Sequence, residues 1–152
     1  MTIEVTTTID ATPGEVWAIL MDVERWPEWT PTMKSVRRLQ DGPLALGATA
    51  RVSQPRLPAA TWKVTSFEPL HQFAWEAALF GGQMVGGHRV EPEGSGTKLT
   101  LTLDRRGGLL GVIGWMLDGT ARGYATQEAA GLKARAEGPV AGASAGALSS
   151  SS

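Results

Sequence analysis

The chain has 152 residues, 42% hydrophobic and 19% charged, enough for one globular domain with a real core and too few for a second. Fourteen basic residues against fifteen acidic ones leave a net charge of -1, so no positive excess exists to neutralise a phosphate backbone, which argues against a nucleic-acid partner. There is no cysteine, which removes disulfide frameworks and thiolate chemistry and fits a cytoplasmic protein.

The N-terminus, "MTIEVTTTID", lacks the basic region and apolar core of a signal peptide. Ile3, Val5, Thr7 and Ile9 alternate with Glu4, Thr6 and Thr8, which is the period of a half-buried first strand. Thr12, Pro13, Gly14 and Glu15 then place a threonine cap, a proline at the first helical position and a glutamate three residues after the cap. A helix starts there, with Val16, Ile19, Leu20 and Val23 as its apolar stripe. Pro27 and Pro31 forbid a long continuation, so "ERWPEWTP" reads as a short helical turn that gathers Trp26 and Trp29 where the chain bends.

From Met33 to Asp104 the pattern predicts six strands, near 33–40, 48–56, 60–68, 71–80, 83–92 and 97–104, joined by short turns and therefore antiparallel. Gly81-Gly82 is the strongest hairpin mark. In the last strand Leu99, Leu101 and Leu103 are expected to face inward and Lys98, Thr100, Thr102 and Asp104 outward. A long helix follows, over Leu109 to Ala136, with Leu109, Ile113, Met116, Leu117, Thr120, Tyr124, Gln127 and Gly131 on one face. Seven glycines from Gly107 to Gly131 work against it at about 1 kcal/mol for each interior one, so packing has to hold it. Asp118 and Arg122 interrupt its apolar run well short of a membrane-spanning length. Residues 138–152, "GPVAGASAGALSSSS", are low in complexity and read as a disordered tail on a domain of residues 1–137.

This order, with "EVWAILMDVERWPEWTP" early and "GHRVEPEGSGTKLTLTL" late, resembles the START-like helix-grip (SRPBCC) superfamily, and within it the polyketide cyclase/dehydrase branch of small bacterial proteins. The resemblance covers roughly residues 2–136. It implies an α+β fold in which a seven-stranded antiparallel sheet wraps a long C-terminal helix and leaves an apolar cavity between them. Members bind lipids, sterols, hormones or polyketide intermediates, and only some are enzymes, so fold alone does not decide function. Chaperone-activating relatives carry paired tryptophans followed directly by glycine and proline, a pattern from which "RWPEWTP" departs.

Candidate site residues follow from alternation and from that fold together. Trp26 and Trp29 either plug the end of the sheet or line the cavity mouth, whereas Trp17 reads as core. Trp62 and Trp75 lie on strands; with Phe73, Trp75, Ala77 and Leu79 inward, Trp75 points at the cavity. Met84, Gly86, His88 and Val90 form the facing strand, where Gly86 and Gly87 leave room. His88 either fixes a ligand oxygen and moves a proton or is satisfied by a neighbour, and His71 reads as exposed. Ile113, Leu117, Thr120 and Tyr124 complete the lining from the helix, Tyr124 as a donor to a bound oxygen or as a core tyrosine. Glu76 and Arg89 read as a surface pair across two strands, and Gly119 and Gly123 as the place where the helix packs closely on the sheet.

Three functions compete: binding of a small, largely hydrophobic lipid-like or polyketide-like molecule; a polyketide cyclase, aromatase or dehydratase using His88 or Tyr124; and a partner-binding module with a filled interior. No metal or other cofactor is expected, since two histidines sixteen residues apart form no ligand set. No membrane insertion is expected, and both monomer and homodimer remain open.

Overall fold

A computed structural model describes residues 2–55, 57–107 and 118–138. Strand β1 (Thr2–Ile9) leads into helix α1 (Pro13–Met21) and a 3-10 helix (Val23–Glu28). Strands β2 (Ser35–Arg38), β3 (Thr49–Ser53), β4 (Ala60–Glu68), β5 (Gln72–Leu79), β6 (Gly82–Glu93) and β7 (Gly96–Arg106) follow, then helix α2 (Asp118–Glu137). The seven strands form one antiparallel sheet in the order β1-β7-β6-β5-β4-β3-β2. It is the expected α+β architecture, with a sheet wrapped on a C-terminal helix.

Helix α1 begins at a complete capping box: the Glu15 amide donates to Thr12 Oγ1 at 3.2 Å, and the Thr12 amide donates to Glu15 Oε1 at 2.9 Å. Pro27, which has no amide to donate, sits inside the 3-10 helix, so the chain turns where the prolines require it. Trp26 is fully buried and its indole N–H donates to Leu20 O at 3.2 Å, which folds the turn back onto α1. Trp17 is core, 5.9 Å from Phe67 and 6.4 Å from Phe73 by ring centroids.

Helix α2 packs chiefly along β1 and β7. Its far end is clasped to β1: Lys133 Nζ donates to Thr8 O at 2.5 Å and to Glu137 Oε2 at 2.8 Å, and Glu137 Oε2 accepts from the Asp10 amide at 2.6 Å. The Lys133 hydrogen bond and the Asp10 amide hold the Glu137 carboxyl below its ordinary value. Gly131 lies so close to the 3-10 helix that an added Cβ would stand 1.9 Å from Trp29 O.

Several expectations need correction. The buried face of α2 is Ala121, Ala125, Ala129, Leu132 and Ala136, while Gln127 is exposed. Gly119 and Gly123 face open space among the described residues, so the close approach is made at Gly131 instead. Glu76 stands opposite Lys63 and Val85 and accepts from Thr65 Oγ1 at 3.0 Å; Arg89 stands opposite Gln72, four residues along β5. A Cβ added to Gly87 would meet Thr102 Oγ1 on the outer face, while the Gly87 backbone lies on the cavity wall. Thr100 is buried despite facing outward, because Thr6 and Arg89 flank it across the two ladders. Strand β7 runs two residues past Asp104, which brings Arg105 onto the inner face in phase with Leu99, Leu101 and Leu103. The helix expected over 109–117 and the tail expected beyond Gly138 lie outside the described residues.

Candidate functional site

The inner faces of β5, β6 and β7 bound a cavity that is partly open to solvent and whose opposite wall is α2. Alternation builds the sheet side. Phe73 pairs with His88, Trp75 with Gly86 and Ala77 with Met84, so Met84, Gly86 and His88 share one inner row, as the sequence pattern predicts. Leu101 and Leu103 stand beside them from β7. Gly86 opens the row: its missing side chain leaves the space next to the Trp75 and Trp62 rings.

The cavity has direction. Met84 and Arg105 pair across β6 and β7, and four residues separate Met84 from His88, roughly 13 Å along the strand. On the helix, Thr120, Tyr124 and Glu128 line the wall in successive turns, with eight residues from first to last, or roughly 12 Å. The two walls therefore match in length. At the outer end stand Thr120, Arg105, Met84 and Phe80, the last 42% exposed in the β5–β6 turn. At the inner end stand His88 and Glu128.

His88 is 5% exposed and held on three sides. Its ring stacks on Phe73 at 4.3 Å and 10°, and Trp26 meets it edge-on at 5.3 Å. Nδ1 lies 3.3 Å from Phe73 O, and Nε2 lies 3.8 Å from Glu128 Oε1, beyond hydrogen-bond range but within that of an ion pair. Both ring nitrogens thus face oxygen atoms, one from the backbone of β5 and one from α2. Tyr124 Oη donates its proton to Pro55 O at 2.5 Å, tying α2 to the β3–β4 loop. That hydroxyl is left to a ligand as an acceptor, not as the donor the sequence suggests.

Of the residues singled out by sequence, Trp62, Met84, His88, Thr120 and Tyr124 line this cavity. Trp26, Trp29 and Trp75 do not. They belong to an aromatic cluster behind the inner end: Trp75 is 5.3 Å from Trp26 and 5.7 Å from Trp62, and Trp26 is 5.5 Å from Trp29. Trp75 does point inward, but its ring is covered by those neighbours. Ile113 and Leu117 lie outside the described residues. Sequence reasoning missed Glu128, Arg105, Gln54 and Leu57, all on the wall. Glu128 was accessible as the residue one helical turn after Tyr124, and Arg105 as the next inward step after Leu103.

Among the described residues no cluster of three or more histidine, aspartate or glutamate side chains could hold a metal, and no helix is long and apolar enough to cross a membrane. The family described as "Polyketide cyclase / dehydrase and lipid transport" matches residues 1–137. No curated protein matches the chain by sequence. Among solved structures, TTHA0849 from Thermus thermophilus is similar with a TM-score of 0.73 at 15% identity, over 90% of this chain and 97% of that one. Ara h 8.0201 is similar with a TM-score of 0.63 at 11% identity, over 87% and 97%. DynU16, a protein of the dynemicin biosynthetic locus, is similar with a TM-score of 0.64 at 19% identity, over 90% of this chain and 48% of that one. At these identities the structural likeness shows a shared fold alone.

Proposed function

The chain belongs to the polyketide cyclase / dehydrase and lipid transport family, and within it we propose that this protein binds a small, largely hydrophobic, lipid-like or polyketide-like molecule between the sheet and α2. The family supports a function of the hydrophobic-ligand or cyclase kind. The observation that carries the binding reading is the cavity itself, walled by Trp62, Met84, Leu101, Leu103 and Ala125, with a few polar groups at defined depths. Among the described residues the space between the sheet and α2 is not filled, which argues against a module acting only through its surface.

Ligands of this site are flat and apolar with one or two oxygens, the walls supplying contact area and the inner polar pair supplying orientation. Native mass spectrometry of gently purified protein, followed by thermal shift with a panel of such compounds, tests it. A ligand that binds only the folded state at a hundredfold excess over its Kd stabilises by about 2.7 kcal/mol. If no compound travels with the protein and none in the panel raises its Tm, the reading fails.

A further inference from the structure

The charges of this chain sum to -1, yet they are sorted by end. Because neighbouring strands run in opposite directions, the start of β2, the end of β3, the β5–β6 turn and the end of β7 lie together, at the end where the cavity meets Phe80 and Thr120. Lys34 just before β2, Arg37 on β2, Arg51 on β3 and Arg122 in the first turns of α2 are exposed around that end. Among the described residues none of the four is ion-paired; the pairs fall elsewhere, as at Arg25–Asp22 and Arg135–Glu28. The opposite end is acidic. Asp10, Asp41, Glu68, Glu91 and Glu93 are exposed there and outnumber Lys98 and Lys133.

Two features of the basic end work against local stability. Arg37 stands directly opposite Arg51, a like-charge pair across two strands, and the next residue along that row is Thr61, which accepts from Arg51 Nη1 at 3.2 Å. Phe80 takes the first position of the two-residue β5–β6 turn with φ 49°, followed by Gly81 at φ 75°. A turn with both φ values positive is made for asparagine and glycine, and a bulky side chain there is strained. The ring is nonetheless 42% exposed, so packing does not repay the strain. Leu70 has the same conformation at the acidic end, with φ 68° and 53% exposure, and so serves as an internal control.

We propose that the basic end docks on an anionic lipid surface, with Phe80 seated among the headgroups and Lys34, Arg37, Arg51 and Arg122 facing lipid phosphates. This contact is a property of the surface and stands whatever the cavity holds. The cations come from three separate elements and surround an apolar tip, a spread that matches a continuous plane of negative charge with an apolar layer beneath it. Attraction to such a plane decays within about 8 Å at physiological salt, so only the near end feels it. Glu91 lies nine residues along β6 from Gly82, roughly 30 Å away, and the acidic end therefore does not oppose docking.

The test is co-sedimentation of the full-length protein, without added ligand, with vesicles of phosphatidylcholine alone or with one third phosphatidylglycerol. The protein is expected to bind the anionic vesicles and not the neutral ones. Raising the salt from ~0.1 M to ~0.5 M is expected to release it, as the screening length falls from about 10 Å to about 4 Å. Arg37→Gln with Arg51→Gln removes two cations, each worth about fivefold, and is expected to weaken binding by on the order of tenfold or more. Phe80→Asn suits the turn and removes the ring, and is expected to weaken it by about fivefold with no loss in Tm. Leu70→Asn is expected to bind like wild type. The proposal is overturned if wild type ignores both vesicles or binds them equally, if the arginine and Phe80 variants keep wild-type affinity, or if Leu70→Asn loses as much as Phe80→Asn. The wild-type comparison of the two vesicles decides the matter even if a variant does not fold, and thermal shift with cavity ligands is read separately from it.

Discussion

Substituting Gly86 separates the cavity from the stability of the sheet that forms it. An added Cβ would lie 3.4 Å from Trp75 Nε1, 3.5 Å from Trp75 Cδ1 and 3.7 Å from the Trp62 ring, which is ordinary contact with no backbone in the way, and the residue's φ lies outside the left-handed region. Alanine therefore fits. Removing the backbone freedom of a strand glycine stabilises by roughly 0.4–1 kcal/mol. For a domain of this size the change appears as a Tm increase of roughly 1–4 °C. Gly86→Leu carries the same backbone benefit but projects a branched side chain into the row between Met84 and His88, where the ligand body would lie. The expected result is a fold as stable as wild type and an affinity for a flat, apolar ligand found by thermal shift at least tenfold weaker, by differential scanning calorimetry and titration calorimetry. A Gly86→Leu protein that melts normally and binds with unchanged affinity would refute the placement of the ligand. A Gly86→Ala protein that is destabilised would refute the description of the inner face.

Gly131→Ala is expected to go the other way: helix propensity favours alanine, but a Cβ 1.9 Å from Trp29 O and 3.0 Å from Trp29 C forces backbone apart, at about 1–3 kcal/mol in urea unfolding. Trp26→Ala is expected to cost about 3–5 kcal/mol, and Trp26→Phe less, since it keeps most of the ring volume and loses chiefly the hydrogen bond to Leu20 O. The Glu137 carboxyl is held below its ordinary value of 4.5, so its stabilising contribution is present above that pH and lost as the pH falls through the lowered value. Glu137→Gln should accordingly be less stable than wild type at neutral pH, and the two urea midpoints should converge in acid.

Strand order, turn positions and the inner row of β5 were readable because Phe73, Trp75 and Leu79 alternate there with smaller or polar residues, and the tight β5–β6 turn carries that assignment of faces onto β6. Helix α2 was not readable in the same way. Its buried face is mostly alanine, which has too little hydropathy contrast with glycine and threonine to orient a wheel, and bulky residues earlier in the chain pull the expected face toward Gln127. Glu128 escapes notice because a carboxylate on a helix ordinarily marks the solvated side, and only its meeting with His88 from another element gives it a role. Arg105 reads, with Asp104 and Arg106, as the charged end of a strand, whereas the strand continues through them. The tryptophans are visible as a cluster, but whether a ring faces a cavity or its neighbours depends on contacts between segments that no local pattern encodes.

That cluster has an optical consequence. The indoles of Trp62, Trp75, Trp26 and Trp29 follow one another at 5.7, 5.3 and 5.5 Å, tilted by 45°, 59° and 51°. Transition dipoles that close and that skewed share their excitation, which splits the indole absorption and gives a paired positive and negative band in the far-ultraviolet circular dichroism. The band overlies the helix and strand signal, so a secondary-structure content fitted from the raw spectrum would be distorted. It also provides a spectral signature of the closed end of the sheet alone, one that should vanish on melting at the temperature where that end opens and not where the rest of the fold is lost, should the two differ.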